Sequence, residues 1–248
     1  MAQFSFGYDE QGGTRTVGTV DDDRKREREQ MVREQIEARG VRGERLLQAL
    51  REVPRHRFLP PGSEAARHAY EDRALPIRAR QTISQPYIVA RMTELLELNG
   101  DEKVLEVGAG SGYQTAILSR LCREVVAVER LPELAAAARR VLEELGVENV
   151  RLVTGDGSEG WPADAPYDAA LAAAVAPAVP PALLRQLRPG GRLVMPVGAE
   201  NGPQKLLRVH VSAEGGAATV EEFGEVAFVP MVGASGFGFP ADLGDLDV

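Results

Sequence analysis

At 248 residues, with 44% hydrophobic and 27% charged side chains, the chain has the make-up of one or two ordinary globular domains, which excludes intrinsic disorder, collagen-like repeats and a membrane bundle. Its 29 Lys and Arg against 37 Asp and Glu leave a formal charge of −8, a balance that repels a phosphate backbone and argues against a nucleic-acid partner. The single cysteine, Cys122, excludes an intramolecular disulfide, a thiolate-rich zinc site and a CxxC redox pair, and fits a reducing cytoplasm.

Residues Met1 to Thr19 lack the basic cluster and apolar run of a secretory signal, so export is not expected. No apolar run reaches the ~18 residues of a membrane span, so no membrane partner is expected either. Residues Asp21 to Gln30 mix acid and base without apolar content and read as a solvated tail leading into a helix. From Met31, the recurrence of Val32, Ile36, Leu46, Leu47 and Leu50, broken at Gly40 to Gly43, predicts two short helices. Pro54, Pro60, Pro61 and Pro76 then mark a wrapped connector. Ser84 and Pro86 announce an amphipathic helix carrying Ile88, Met92, Leu95 and Leu96 on one face, with Ser84 a candidate N-cap.

Beyond it, Val104 to Val107, Val125 to Val128, Arg151 to Thr154, Ala169 to Ala172 and Arg192 to Met195 are short apolar runs suited to buried strands. Helical patterns separate most of them, among them Leu134, Ala138, Val141, Leu142 and Leu145, and the alternation predicts a doubly wound parallel sheet. Leu206 to Val211 and Thr219 to Val229 read as an antiparallel hairpin on the sheet edge. The expected division is a polar tail over 1–26, helices and connector over 27–80, a core over 81–233 and a mobile tail, without chemistry, over 234–248.

The strongest local signal is Glu106-Val107-Gly108-Ala109-Gly110-Ser111-Gly112-Tyr113, placed where the first core strand turns into a helix. Glycines there let a ligand approach the backbone, although a tight turn alone would use them too. The spacing is G-x-G-x-G, not the G-x-G-x-x-G of a dinucleotide fingerprint, and no G-K-[ST] follows. Glu129, closing the second strand, could accept both hydrogen bonds of a ribose diol or be a surface acid. Asp156-Gly157, closing the third, could read an adenine amino group with the glycine close to the ring, or be only a turn. Together the strand ends converge on one crevice for an adenosine-containing ligand. His56, His68 and His210 stand in no metal-ligand spacing, and no G-x-S-x-G elbow surrounds Ser84, so neither metal nor nucleophilic-serine chemistry is expected.

From Met31 to Gly233 the chain resembles the protein-L-isoaspartate O-methyltransferases, which use S-adenosylmethionine (AdoMet) and leave S-adenosylhomocysteine. The blocks that carry the resemblance are Val53 to Phe58, Ala69 to Pro76, Gln81-Thr82-Ile83-Ser84-Gln85-Pro86-Tyr87, the glycine turn, Asp156-Gly157, Pro189-Gly190-Gly191 and Phe228-Val229-Pro230. The Gln81 to Tyr87 block is the most specific of them. The resemblance implies a Rossmann-like, mostly parallel sheet of the AdoMet-dependent methyltransferase type, with a helical preface and an antiparallel C-terminal hairpin. It also implies a cofactor site made of Gln81, Thr82, Ile83, Ser84, Glu106, Gly108, Gly110, Ser111, Gly112, Glu129, Asp156 and Gly157, without metal. Gln81 to Ser84 would cover the cofactor, and Ser84 would orient the acceptor and count as the catalytic residue.

The implied reaction is methylation of the carboxylate of isoaspartyl residues in proteins or peptides, which initiates repair through a succinimide. Methylation of normal aspartate in a dedicated peptide is one alternative, and an AdoMet-binding interaction protein without transfer is another. Two departures stand out. Arg78-Ala79-Arg80 occupies a loop where relatives commonly carry glycine before Gln-Thr-Ile-Ser, and Ala173 replaces a residue often polar. The two arginines are expected beside the peptide entrance, either as a solvated loop or steering acidic peptides.

Overall fold

The computed structural model describes residues 24–214 and 218–238. The expectations for the tail before Arg24, for the turn glycines Gly215 and Gly216 and for the last residues of the chain lie outside the described residues.

The described residues open with a helix, Lys25–Met31 (α1), that widens over Val32–Ile36, tightens over Glu37–Arg39 and stops at Gly40 with φ +100°. Glu44–Glu52 (α2) follows and buries Leu46, Leu47, Ala49 and Leu50. The predicted pair of helices is therefore present, but the stretch read as a solvated tail is not solvated throughout. Arg28 is 6% exposed, with its guanidinium against the Arg51 carbonyl and the Tyr70 hydroxyl. A long arginine can lay its stem on the core while its head finds internal acceptors, and a count of charges does not register that.

The connector contains a short helix, Glu64–Arg67 (α3), capped by Ser63, and a small antiparallel pair, Leu75–Pro76 (β1) with Thr82–Ile83 (β2). Pro86–Leu95 (α4) comes next, with its proline at the first turn. The core then alternates Lys103–Val107 (β3), Tyr113–Ser119 (α5), Glu124–Glu129 (β4), Pro132–Glu144 (α6), Val150–Thr154 (β5), Tyr167–Ala172 (β6), Pro181–Arg185 (α7) and Leu187–Gly198 (β7). Gln204–His210 (β8) and Thr219–Val226 (β9) close it.

The main sheet has the order β5-β4-β3-β6-β7-β8-β9, parallel from β5 to β7 and antiparallel at β7-β8 and β8-β9. The predicted doubly wound sheet with an antiparallel C-terminal pair is thus what the chain adopts. Its strands are apolar on both faces because both faces are covered. Val104, Val125, Ala127 and Leu171 pack toward Met92 and Leu95 of α4 and Leu118 of α5. Leu105, Val107, Val126 and Ala170 pack on the opposite side with Leu183 of α7. A further cluster joins α1 and α2 to Tyr113, Ile117 and Leu142, so the helical preface shares the core of the sheet domain.

Strand order reverses at β3. From there the chain winds one way to β4 and β5, then returns to the other side for β6 and β7, leaving a crevice at the carboxyl end of β3.

Candidate functional site

The crevice is floored by the turn between β3 and α5. Gly108, Gly110 and Gly112 all have positive φ (+83°, +54° and +87°), a conformation in which glycine carries no side-chain penalty. Gly108 and Ala109 donate their N–H groups to the Val128 carbonyl at 2.8 and 3.2 Å, stapling the turn to β4. Gly112 serves packing instead. A Cβ there would lie 3.0 Å from that of Ala138, so its bareness lets α5 start against α6, and it does not line the cleft.

Glu129 ends β4 with one oxygen accepting from Gly110 N (2.8 Å) and the other from Leu131 N (2.8 Å). Its carboxylate lines the cleft, and each oxygen keeps a further lone pair for a ligand hydroxyl. Gly157 lies above Val107, whose Cγ1 would stand 2.6 Å from an added Cβ, so only glycine fits.

Together with Gln81, Thr82, Ile83, Ser84, Gly108, Gly110 and Ser111, these residues surround about 1080 Å³ of empty space, part of it open to solvent. Sequence reasoning missed Arg130, Leu131 and Ser158, which also line it. Arg130 and Ser158 directly follow Glu129 and Gly157, Leu131 stands two residues after Glu129, and that closeness is the only signal they give.

Besides Gly112, two more of the expected site residues, Glu106 and Asp156, are not brought into the cleft. Glu106 is fully buried beneath the turn, and neither carboxylate oxygen has a hydrogen-bond partner. Burial pushes its carboxyl up to about 8, the Thr115 hydroxyl opposing this and the Glu129 charge adding to it. Asp156 is engaged elsewhere. One oxygen accepts from the N–H and hydroxyl of Ser158 (2.9 and 2.7 Å) and the other from Ala234 N (2.8 Å). Burial works against its charge, but those donors and the Arg130 guanidinium outweigh it and hold the carboxyl below the usual range.

Asp156 therefore anchors the start of the stretch expected to be a mobile tail without structure. Residues Gly233 to Gly238 are folded, with Ser235 N on the Ser158 hydroxyl and Phe237 N on the Met231 carbonyl. The reason is a contact between distant parts of the chain: without a Cβ, Gly233 can lie directly on the Asp156 carboxylate.

Ser84 does not cap α4. The helix begins at Pro86, its N-cap position is Gln85, whose carbonyl accepts from Val89 N (3.1 Å), and no side chain at that position caps the first turn. Asp72 does so from a distance, accepting from Tyr87 N (3.1 Å) and from the Gln85 amide (2.7 Å) while paired with Arg39 (2.6 Å). A cap contributed by the connector leaves no trace in local spacing.

Ser84, Thr82, Ala173, Phe228 and Val229 line both the cleft and a second cavity running along Glu225, Val226 and Ala227. Arg78 and Arg80 line neither. Arg78 lies over a separate hollow with Phe58, Pro60 and Pro61, so the arginines are not at the mouth of this second cavity. Among the described residues no group of three or more His, Cys, Asp or Glu could hold a metal, and no helix is long and apolar enough to cross a membrane.

A protein-family profile described as Protein-L-isoaspartate(D-aspartate) O-methyltransferase matches residues 26–236. The chain belongs to this family. It is 53% identical over 210 residues to Protein-L-isoaspartate O-methyltransferase 2 of Pelobacter propionicus, covering 85% of this chain and 92% of that protein. A solved structure described as a protein-L-isoaspartate O-methyltransferase superposes with a TM-score of 0.74 at 30% identity, over 84% of this chain and 66% of that one. A Plasmodium falciparum protein described as a beta-aspartate methyltransferase in complex with S-adenosyl-L-homocysteine shares the fold, with a TM-score of 0.69 at 20% identity over 83% of this chain and 98% of its own.

Proposed function

We propose that this protein transfers the methyl group of AdoMet to the carboxylate of L-isoaspartyl residues in proteins or peptides, the ester then closing to a succinimide that reopens in part as aspartate. The observation that carries the reading is the junction of two cavities at Ser84, Ala173 and Phe228, one floored by a glycine turn and Glu129, the other open along residues 225–229. A nucleoside-bearing donor and an extended acceptor can meet there.

The residues fit the cofactor. Glu129 is already oriented by two backbone N–H groups and has lone pairs left for a ribose diol, while Gly108, Gly110 and Gly157 present bare backbone to the cleft. Bound AdoMet would supply a methyl group activated by its sulfonium. A carboxylate acceptor, with an ordinary pKa of about 4, is ionised at neutral pH and needs no general base. What remains for the chain is placement and exclusion of water. Ser84, which lines both cavities, would hydrogen-bond the acceptor, and Phe228 and Met231 would close the apolar side.

A cytoplasmic setting is supported by the single, buried Cys122, and protein partners are favoured over nucleic acid by the charge of −8. The deciding experiment offers labelled AdoMet with matched aspartyl and isoaspartyl peptides. Label on the isoaspartyl peptide alone is expected. Preference for the aspartyl peptide would mean a tailoring enzyme, and binding without transfer an interaction protein.

A further inference from the structure

Isoaspartate forms where the side-chain carbonyl of Asn or Asp meets the backbone nitrogen of the next residue, most readily when that residue is glycine and nothing shields the nitrogen. This chain contains three such steps: Asn99-Gly100, Asp156-Gly157 and Asn201-Gly202. The fold protects two of them. Gly100 N is held by the buried Glu102 carboxylate at 2.9 Å, and the same carboxylate takes Asn99 N. Both oxygens of Asp156 are hydrogen-bonded, and Gly157 is buried.

Asn201-Gly202 differs from both. It lies in the loop from Ala199 to Pro203 that joins β7 to β8, where every residue is exposed. Among the described residues no hydrogen bond restrains the Asn201 side chain, and Gly202 N makes only a long contact, 3.4 Å, to the Ala199 carbonyl. We propose that Asn201-Gly202 is the step at which this chain itself ages to isoaspartate, and that the aged loop is an acceptor for a second copy of the same protein. The second half rests on the methyltransferase reading above.

The chemistry needs only water and the methyl donor. Gly202 N attacks Asn201 Cγ, the side-chain nitrogen leaves as ammonia, and a five-membered succinimide results. Water opening that ring at its Cα-side carbonyl routes the main chain through Cβ and Cγ and frees an α-carboxylate. An oxygen of that carboxylate forms the new O–CH3 bond as the S–CH3 bond of the donor breaks, the electron pair staying on sulfur.

The site is not remote from the active cleft. The loop rises from the carboxyl end of β7, on the edge of the sheet that carries the crevice, and Gln204 just beyond it clamps Phe228 through two hydrogen bonds (2.7 and 3.1 Å). An inserted methylene at position 201 therefore loosens a wall shared by both cavities.

The test ages full-length wild type, Asn201→Ser and Asn99→Ser at physiological temperature and mildly alkaline pH. The isomer at each Asx-Gly step is identified by mass-spectrometric fragmentation. Each aged chain is then offered to fresh wild type with labelled AdoMet, alongside a reference isoaspartyl peptide. Isoaspartate at position 201 is expected in wild type and Asn99→Ser, with several-fold less label on aged Asn201→Ser. Absence of the isomer at 201, or equal label on aged wild type and Asn201→Ser, overturns the proposal. An unlabelled reference peptide would instead defeat the methyltransferase reading and with it the methylation of the loop, while the fragmentation data would still decide the ageing site.

Discussion

The hydroxyl of Ser84 stands two residues ahead of α4, where the two cavities meet, and the helix start behind it is secured by Asp72. Removing it costs no cap. Ser84→Ala should therefore leave stability within about 0.5 kcal/mol of wild type, as expected for a position without a structural bond. Losing a hydrogen bond to a charged acceptor, about 1.5–3 kcal/mol, should slow turnover roughly tenfold or more, with AdoMet affinity unchanged by calorimetry. Normal turnover on an isoaspartyl peptide would end the assignment.

Glu106 makes the opposite case, a carboxyl with a pronounced physical signature outside the cleft. Its folded pKa, about 8, stands above the 4.5 of a free group, so the fold favours its protonated form. The associated stability is fully present below about pH 4.5 and is lost progressively as pH rises through about 8. Glu106→Gln keeps the shape and removes the titration. Its thermal midpoint should match wild type in acid and exceed it increasingly up to about pH 8, and parallel pH profiles of the two proteins would refute this.

At the scale of elements, the tip of the β1–β2 pair takes positive φ without glycine. Ile77 N bonds the Gln81 carbonyl and Gln81 N the Arg78 carbonyl, closing a turn whose two central residues, Ala79 and Arg80, have φ of +55° and +56°. That is the mirror-image turn suited to the twist of a hairpin, here built without glycine. Arg80→Gly should relieve about 0.5–1 kcal/mol after the entropic cost of glycine, raising the melting temperature by about 1–4 °C, whereas Arg80→Ala should give no gain. Among the described residues, Glu225 is the charged side chain lining the second cavity, which neither Arg78 nor Arg80 lines. Glu225→Gln should then lower KM for acidic isoaspartyl peptides more than for neutral ones, with salt shrinking the difference; equal effects at low salt would remove Glu225 from acceptor selection.

Across the whole molecule, the preface, connector and sheet share buried surface: Met31, Leu50 and Phe58 lie in one cluster with Tyr113 of α5 and Leu142 of α6. We expect one cooperative unit. Urea unfolding followed by Trp161 fluorescence, which reports the packing of the sheet, and by far-UV circular dichroism, which reports the helices, should give coincident transitions. Separate midpoints would make the preface an independent domain.

Only the family resemblance pointed to the Gln81 to Ser84 block, but the order of strands and helices, the crevice at β3 and the place of Glu129 in it were legible along the chain. Each rests on short-range physics: two-sided burial makes a strand apolar, and a turn with positive φ selects glycine. Not legible were the cap supplied to α4 by Asp72, the withdrawal of Asp156 to hold Gly233 and Ala234, and the isolation of Glu106 beneath the turn. Those outcomes depend on which groups meet across long stretches of sequence. A carboxylate takes whichever donors the fold delivers, and burial, which no local pattern records, decides whether it stays charged.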